Sequence, residues 1–196
     1  MPWFGKPCNG FTDAISHKGQ LYDLLETGKI FTCDLTAPSL EMTEFVASPR
    51  RPLNKQYSTE DSCLVESGGE LLLQLVYCRK DHTRNRIGYR TIMFEIYRLD
   101  FNVKKWIPVA SLGEYVLFWG LSQSFSLSEL NVGSIKRNHI NSMDGCIHAD
   151  YYYKDTGYNM GEFNLQSSTI GFYPTRFRLT YPHGIWVTPA LQSSLS

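Results

Sequence analysis

The most informative stretch of the chain is CLVESGGELLLQLVY, residues Cys63–Tyr77. It consists of two apolar runs separated by the pair Gly68-Gly69. Adjacent glycines accept the positive φ angles of a tight turn without steric cost, so they predict a β-hairpin. The longer run, Leu71–Tyr77, is interrupted only by Gln74 and is much too short to span a membrane. The stretch therefore predicts two antiparallel strands, the second of them strongly apolar.

Similar short runs, separated by turn residues, occur along the whole chain. The predicted strands are Phe11–Ile15, Leu21–Leu25, Ile30–Leu35, Cys63–Glu66, Leu71–Tyr77, Thr91–Leu99, Trp106–Val109, Tyr115–Trp119, Gly161–Leu165 and Phe172–Leu179. The segment Leu40–Val46 fits a strand or a short helix, because its periodicity does not separate the two. No stretch of the sequence carries a sustained helical stripe, so the chain is predicted to be all-β.

Composition narrows the class further. The 196 residues suit one domain, and 19 basic against 19 acidic residues lack the excess of positive charge that marks a nucleic-acid binder. The 4 Trp, 12 Tyr and 11 Phe favour strands. The five cysteines include no C-x-x-C pair, and the N-terminus has no signal-peptide core. We therefore expect a cytoplasmic or nuclear protein with reduced cysteines and no nucleic-acid or membrane partner.

A faint internal repeat bears on the architecture. Strands end at Leu35, Leu99 and Leu165, which are 64 and 66 residues apart, and the residue two positions earlier is Cys33, Tyr97 or Phe163. These three residues are expected to face inward. Each unit has room for four strands and long loops, somewhat more than a propeller blade needs. The repeat favours a β-propeller over a sandwich, with about three four-stranded antiparallel blades, which makes a partial propeller.

Several motifs recur in the order of a known family. They are LVESGGELLL (64–73), FEIYRLD (94–100) with Trp106, SLGEYVLF (111–118), QSFSLS (123–128), GEFNL (161–165) and IWVTP (185–189). Together they resemble the plant F-box-associated β-propellers of the KIB type. The resemblance divides the chain into an N-terminal extension (1–10), a partial KIB-type β-propeller domain (11–191) and a C-terminal tail (192–196).

The resemblance implies a function in protein interaction. In this family an N-terminal F-box binds a Skp-type adaptor of a cullin ubiquitin ligase, and the propeller holds the target protein. Only about ten residues precede the first predicted strand, so the F-box is expected to be absent, and adaptor binding is expected only of a longer form that supplies one. The family strand Asn-x-Ile-Tyr-Phe-Thr-Asp reads NHINSMD at 138–144, which lacks two aromatic residues and weakens the strand's packing.

Few residues suggest chemistry. A cluster of two imidazoles and two carboxylates comprises His139, Asp144, His148 and Asp150, and such groups suit zinc or manganese. Their spacing matches no metal motif, so a solvated polar loop is the favoured interpretation. The pair Gly68-Gly69 lacks the other glycines and the lysine of a phosphate-binding loop. We therefore predict no catalytic residue, no metal and no cofactor.

Two segments are candidates for binding a partner. Residues 79–90, RKDHTRNRIGYR, hold five basic residues and one acid, and Arg79, Arg84 and Arg86 are the candidate contacts for an acidic partner surface or a nucleic-acid backbone. The default interpretation is a solvated hairpin loop. The other candidates are Tyr151, Tyr152 and Tyr153, because exposed tyrosines bury a large area at low entropic cost. The favoured interpretation of these tyrosines is nevertheless core or inter-blade filler.

Three functional hypotheses follow. The leading one is a non-catalytic protein-interaction module with an unknown target. The alternatives are a metal-dependent or small-molecule enzyme that uses residues 139–150, and a truncated gene product without an autonomous role. Because three blades do not close a ring, the outer sheet faces are expected to stay uncovered and to promote self-association.

Overall fold

The computed structural model of the chain describes residues 10–33, 42–49, 59–83, 86–120, 123–128, 136–143 and 160–173. Within these ranges every regular element is a β-strand. The strands are β1 (Phe11–His17), β2 (Gln20–Leu25), β3 (Ile30–Cys33), β4 (Met42–Val46), β5 (Thr59–Ser67), β6 (Glu70–Thr83), β7 (Arg86–Asp100), β8 (Lys105–Pro108), β9 (Tyr115–Trp119), β10 (Phe125–Ser128), β11 (His139–Met143), β12 (Met160–Asn164) and β13 (Thr169–Phe172). The prediction of an all-β chain is confirmed.

The strands form three sheets that follow one another along the chain. The first sheet has the order β1-β2-β3-β4 and the second the order β5-β6-β7-β8, and both are antiparallel meanders. The third sheet has five strands in the order β10-β9-β11-β12-β13. In it β10 pairs antiparallel with one edge of β9, and β11 pairs parallel with the other edge. The three blade-like sheets are therefore as expected, but the third departs from four antiparallel strands.

Two tight turns have the backbone geometry that the sequence predicts. At Gly68-Gly69 the φ angles are 59° and 79°, and Ser67 pairs directly with Glu70. At Lys18-Gly19 they are 50° and 79°. Positive φ at both central residues matches the twist of a two-residue hairpin. Gly68 has a second role, because a Cβ there would lie 2.9 Å from the ring of Tyr115 in the third sheet.

The second sheet lies between the other two and is buried on both faces. Leu71, Leu73 and Leu75 pack with residues of the first sheet. The alternating residues Leu72 and Val76 pack with residues of the third sheet. Side chains alternate between the faces of a strand, so a continuous apolar run is what a strand buried on both sides requires. This explains why Leu71–Tyr77 is apolar at nearly every position.

The three residues of the predicted repeat are buried as expected, but they do not pack in the same cluster. Cys33, Tyr97 and Phe163 are all buried. Tyr97 packs in the cluster between the first and second sheets, and Phe163 in the cluster between the second and third. There the ring of Phe163 lies 5.3 Å from that of Phe94, whose ring also meets Trp119 edge to face. Cys33 belongs to neither cluster.

Several segments differ from the predictions. Residues 79–90 are not a loop with flanking strands, because β6 continues to Thr83 and β7 begins at Arg86. The last described strand is Thr169–Phe172, whereas the sequence predicted Phe172–Leu179, most of which lies outside the described ranges. The ambiguous segment at Leu40–Val46 contains the strand Met42–Val46.

The outer face of the third sheet is not bare at the positions that can be assessed. Val116 and Met143 alternate with the residues that pack on the second sheet, so they point away from it. Both are nevertheless buried. The expected uncovered apolar surface is therefore wrong at these two positions.

Candidate interaction surfaces

The three sheets approach one another along β1, β5 and β10, with β5 in contact with both of the others. The contacts are polar. The backbone N–H of Leu64 in β5 donates to Asp13 Oδ2 of β1 at 2.7 Å. On the other side, the hydroxyls of Ser67 and Ser126 lie 2.8 Å apart and join β5 to β10. Such directional contacts fix how the sheets are placed relative to one another.

Asp13 is the most constrained carboxylate along this line. Its second oxygen accepts the backbone N–H of Ala14 at 2.8 Å. Burial raises the pKa of Asp13 above its ordinary value, and the hydrogen bonds from Leu64 and Ala14 offset only part of that rise. Asp13 therefore links β1 to β5. Because its pKa is raised, it binds a proton more tightly in the folded chain than in the unfolded chain.

An aromatic cluster lies where β1 and β7 end. The ring of His17 stacks on Phe101 with centroids 5.6 Å apart, and Tyr22 meets Phe101 edge to face at 6.1 Å. His17 Nδ1 lies 2.9 Å from Glu66 Oε2, which links the ends of β1 and β5. Phe45 of β4 closes the cluster, with its centroid 5.5 Å from that of Tyr22.

Two lysines cover the edge of this cluster. Lys18 Nζ lies 5.4 Å from the centroid of Phe101, and Lys104 Nζ lies 5.0 Å from that of Phe45. A cation at this distance is attracted to the ring face. The cluster therefore presents exposed positive charge over an aromatic base at the turn end of the first and second sheets.

A cleft of about 260 Å³ separates the second and third sheets near the same turns. Its lining includes Ser67, Gly68, Val109, Leu112 and Tyr115. Pockets for small molecules usually measure 300–1,000 Å³, so this cleft is small for a substrate site. It fits a side chain of a partner better than a free metabolite.

The opposite end of the second sheet carries an extension, which we call the basic arm: residues 79–83 of β6 and 86–90 of β7. These residues pair with each other from Arg79 opposite Arg90 to Thr83 opposite Arg86. The neighbour β5 pairs with β6 only up to Cys78, and β8 pairs with β7 only up to Tyr97. Among the described strands the arm is therefore two-stranded, and five residues at about 3.3 Å each extend it by roughly 17 Å.

A β-bulge lies at the base of the arm. The register changes between Tyr77 opposite Met93 and Cys78 opposite Thr91, which leaves Ile92 as the extra residue. A bulge bends the strand that carries it and increases the local twist. The arm therefore leaves the sheet at an angle set by this residue.

The predicted binding residues fall in different places. Arg79 is exposed in β6, and Arg86 is the first residue of β7. Arg84, Tyr151, Tyr152 and Tyr153 lie outside the described residues. The sequence therefore identified the segment that forms the arm as a candidate for binding. It did not predict that the segment forms paired strands, because most of its residues are polar, which weakens the apolar pattern of a strand.

The predicted metal cluster is only partly described. His139 begins β11, and its Nδ1 lies 2.7 Å from the carbonyl oxygen of Arg137. Its Nε2 lies 3.1 Å from Asn164 Nδ2 and 3.6 Å from Glu162 Oε1, so both ring nitrogens have protein neighbours. Asp144, His148 and Asp150 lie outside the described residues. Within the described part, no group of three or more His, Cys, Asp or Glu residues is placed to hold a metal ion.

Asn138 is a structural residue that sequence reasoning did not single out. It has a φ of 61°, in the left-handed region that asparagine tolerates. Its Oδ1 accepts the N–H of Leu112 at 2.8 Å, and its own N–H donates to the carbonyl of Tyr115 at 2.9 Å. It therefore fixes the start of β11 against β9. The signal that could have found it is its place as the first residue of the NHINSMD motif.

The two polar residues that replace aromatics in that motif are both buried. Ser142 Oγ donates to the carbonyl of Gly161 at 3.4 Å, a long hydrogen bond. Asn141 Nδ2 has no hydrogen-bond partner among the described residues. The strand β11 forms nonetheless, because it is paired with β9 on one side and β12 on the other.

The described cysteines show no sign of a nucleophile. Cys63 Sγ donates to Ser124 Oγ at 3.2 Å, and burial raises its pKa well above that of an ordinary thiol. A thiol with a raised pKa forms little of the reactive thiolate. Cys33 is also free, whereas Cys78 is disulfide-bonded, so the expectation that the cysteines are reduced is wrong at that position.

No helix long and apolar enough to cross a membrane occurs in the part of the chain that the structure describes.

Comparisons with known proteins agree with the motifs and the fold. The chain matches the family described as KIB1-4 beta-propeller over residues 2–173. It is 35% identical over 121 residues to an F-box protein of Arabidopsis thaliana, At2g26160. It is 26% identical over 160 residues to a second protein of that plant, described as "Putative F-box protein At3g25750". The matches cover 60% and 82% of this chain but only 34% and 41% of the two relatives.

Proposed function

Because the chain belongs to the KIB1-4 β-propeller family, we propose that it is a non-catalytic module that holds a target protein for an F-box ubiquitin ligase. The observation that carries the proposal is the family match over residues 2–173 together with the two F-box relatives. These support a protein-interaction module in the context of F-box proteins. The ubiquitin-ligase role is the further step that we infer.

The fold suits such a role. Three sheets share two continuous apolar clusters, so the scaffold is held by its core and the segments at both ends are available for recognition. One end presents the lysine-covered aromatic cluster, and the other presents the basic arm. Both carry basic residues that a protein partner with an acidic surface could recognise.

The described residues favour this role over that of an enzyme. The ring nitrogens of His139 are occupied by protein neighbours, and the Cys63 thiol is desolvated. The alternative of a metal-dependent enzyme at residues 139–150 therefore has no supporting geometry in the described part of the site. A non-catalytic role is accordingly the one we propose.

Adaptor binding belongs to a longer form in this proposal. The chain spans about a third to two-fifths of the length of the relatives that it matches. We propose that a Skp-type adaptor binds only when an F-box precedes the propeller, and that the complex acts in the cytoplasm or the nucleus. If no longer form exists, the remaining hypothesis is a truncated product without an autonomous role.

The test compares the chain alone with the chain fused behind the F-box of the At2g26160 relative in plant cells. We expect only the fusion to co-purify with a Skp-type adaptor. We also expect the fusion to shorten the half-life of at least one protein that cross-links to the chain, in a manner that a proteasome inhibitor reverses. The control is the fusion with Val76→Asp, which places a charge in the buried core. Unchanged half-lives of every cross-linked protein would refute the proposal.

A further inference from the structure

The basic arm is a paired β-ribbon whose outer edges have no partner among the described strands. The β7 side, residues 86–90, is the more open of the two. On the β6 side the pairing with β5 ends at Cys78, directly before the arm, whereas on the β7 side the pairing with β8 ends at Tyr97, seven residues from Arg90. An unpaired strand edge is a template for another extended chain.

Charge concentrates on this arm in a chain that is otherwise acidic. Residues 79–90 contain Arg79, Lys80, Arg84, Arg86 and Arg90 against Asp81, five positive charges and one negative. The whole chain has 19 of each, so the remaining residues contain 14 basic and 18 acidic side chains. The excess of four positive charges in residues 79–90 is thus balanced by an excess of four negative charges elsewhere.

The positive charge is also costly to the hairpin itself. Arg79 and Arg90 are directly opposite each other in the register. Like charges at opposed positions destabilise a strand pair. The described strands place no third strand beside this ribbon. A ligand that supplies both negative charge and strand hydrogen bonds would therefore stabilise the ribbon more than one that supplies only one of them.

We propose that the basic arm binds an acidic, extended segment of a partner protein, which adds as a third strand along residues 86–90 of β7. This inference deepens the proposed function, on which it rests for the class of partner. The backbone of the arm supplies the ladder hydrogen bonds, and its basic residues select carboxylates over neutral or basic segments. The bulge at Ile92 sets the angle at which the segment lies relative to the sheets.

A protein segment fits these features better than a nucleic acid. The net charge of the chain is zero, whereas a nucleic-acid binder usually carries a broad basic surface. The arm offers a short ribbon with an open edge, and hydrogen bonding along an edge requires a peptide backbone.

The test uses the complete chain and a fluorescein-labelled 12-residue peptide in which Glu alternates with Val or Thr. We expect anisotropy to show saturable binding that weakens with salt, together with slower amide hydrogen exchange at residues 86–90. The double variant Arg86→Glu/Arg90→Glu is expected to weaken binding about tenfold or more. The matched control, Lys105→Glu/Lys136→Glu, makes the same charge change at two exposed lysines outside the arm and is expected to bind normally. Far-UV circular dichroism checks that both variants remain folded.

Three further probes separate the alternatives. A peptide with the same acidic residues but Pro in place of alternate Val or Thr cannot form a strand, and we expect it to bind at least about tenfold more weakly. Equal binding of that peptide, or tighter binding of a single-stranded DNA of equal charge, would overturn the proposal. Equal weakening in the Lys105→Glu/Lys136→Glu control would do the same. The peptide assay does not involve an F-box, so its outcome is independent of whether the ligase role holds.

Discussion

Gln74 offers a sharp test of the packing between the second and third sheets. Its side chain is 0% exposed on β6, opposite Cys63 and Ile96, and neither amide atom has a hydrogen-bond partner among the described residues. Leaving a buried polar group unsatisfied costs about 1–3 kcal/mol. Gln74→Met removes that cost with a side chain of similar volume, and the volume-conserving change itself costs less than about 1.5 kcal/mol. We expect a net gain of about 1–2 kcal/mol, which raises Tm by roughly 2–8 °C.

The assay is urea unfolding followed by tryptophan fluorescence. A gain in stability should move the midpoint to higher urea and leave the slope unchanged, because the surface exposed on unfolding is the same. The matched control is Gln166→Met at an exposed turn position, for which we expect a change within about 0.5 kcal/mol. A lower or unchanged midpoint for Gln74→Met would show that the amide contributes a stabilising hydrogen bond, and the reasoning would be refuted.

Three other substitutions probe the remaining polar contacts. Asn141→Val should stabilise the chain by about 1 kcal/mol in urea unfolding, since it removes a buried amide nitrogen without a described partner and places a β-branched residue in β11; a loss of stability would contradict this. Asn138→Ala should cost about 1–3 kcal/mol in the same assay, because it removes the bond to Leu112 and places alanine at a positive φ; an unchanged midpoint would contradict it. The raised pKa of Asp13 means that the folded chain holds this proton more tightly than the unfolded chain, so its contribution to stability should decrease as the pH rises from about 4 through the raised pKa. Asp13→Asn should remove that decrease when unfolding is compared at pH 4, 5.5 and 7, and an unaltered pH profile would contradict the assignment.

Much of the fold could be predicted because local signals agree with tertiary packing. Tyr115–Trp119 was predicted with the bounds that the structure shows, and the Gly68-Gly69 hairpin has the backbone that its residues demand. Strand ends were less accurate where polar residues continue a ladder. The predictions placed the strand ends at Tyr77 and Thr91, although pairing continues as far as Thr83 and Arg86. An alternation of apolar and polar residues marks a strand that is buried on one face. Residues 79–83 and 86–90 extend beyond the neighbouring strands β5 and β8, and residues 79–83, which are all polar, lack that alternation.

Other features depend on contacts between distant segments. The parallel pairing of β11 with β9 joins Ile140 to Leu117, which are 23 positions apart, and no local pattern records that. The tie between Asp13 and Leu64 joins residues 51 positions apart, so neither neighbourhood contains its signal. The same holds for the candidate binding residues. The positive charge of residues 79–90 follows from the sequence, but their pairing as two strands does not.

The arm is continuous with β6 and β7, whose residues belong to both apolar clusters of the described chain. A force on a partner bound to the arm would therefore act on β6 and β7, which are held by both apolar clusters. The bulge at Ile92 lies between the arm and these clusters. The arm is thus a rigid extension of the second sheet and not a separate loop. A segment bound there would lie at a distance and orientation set by the two strands and the bulge. Deleting Ile92 would remove the extra residue and change that orientation, while the residues of the arm itself would stay the same.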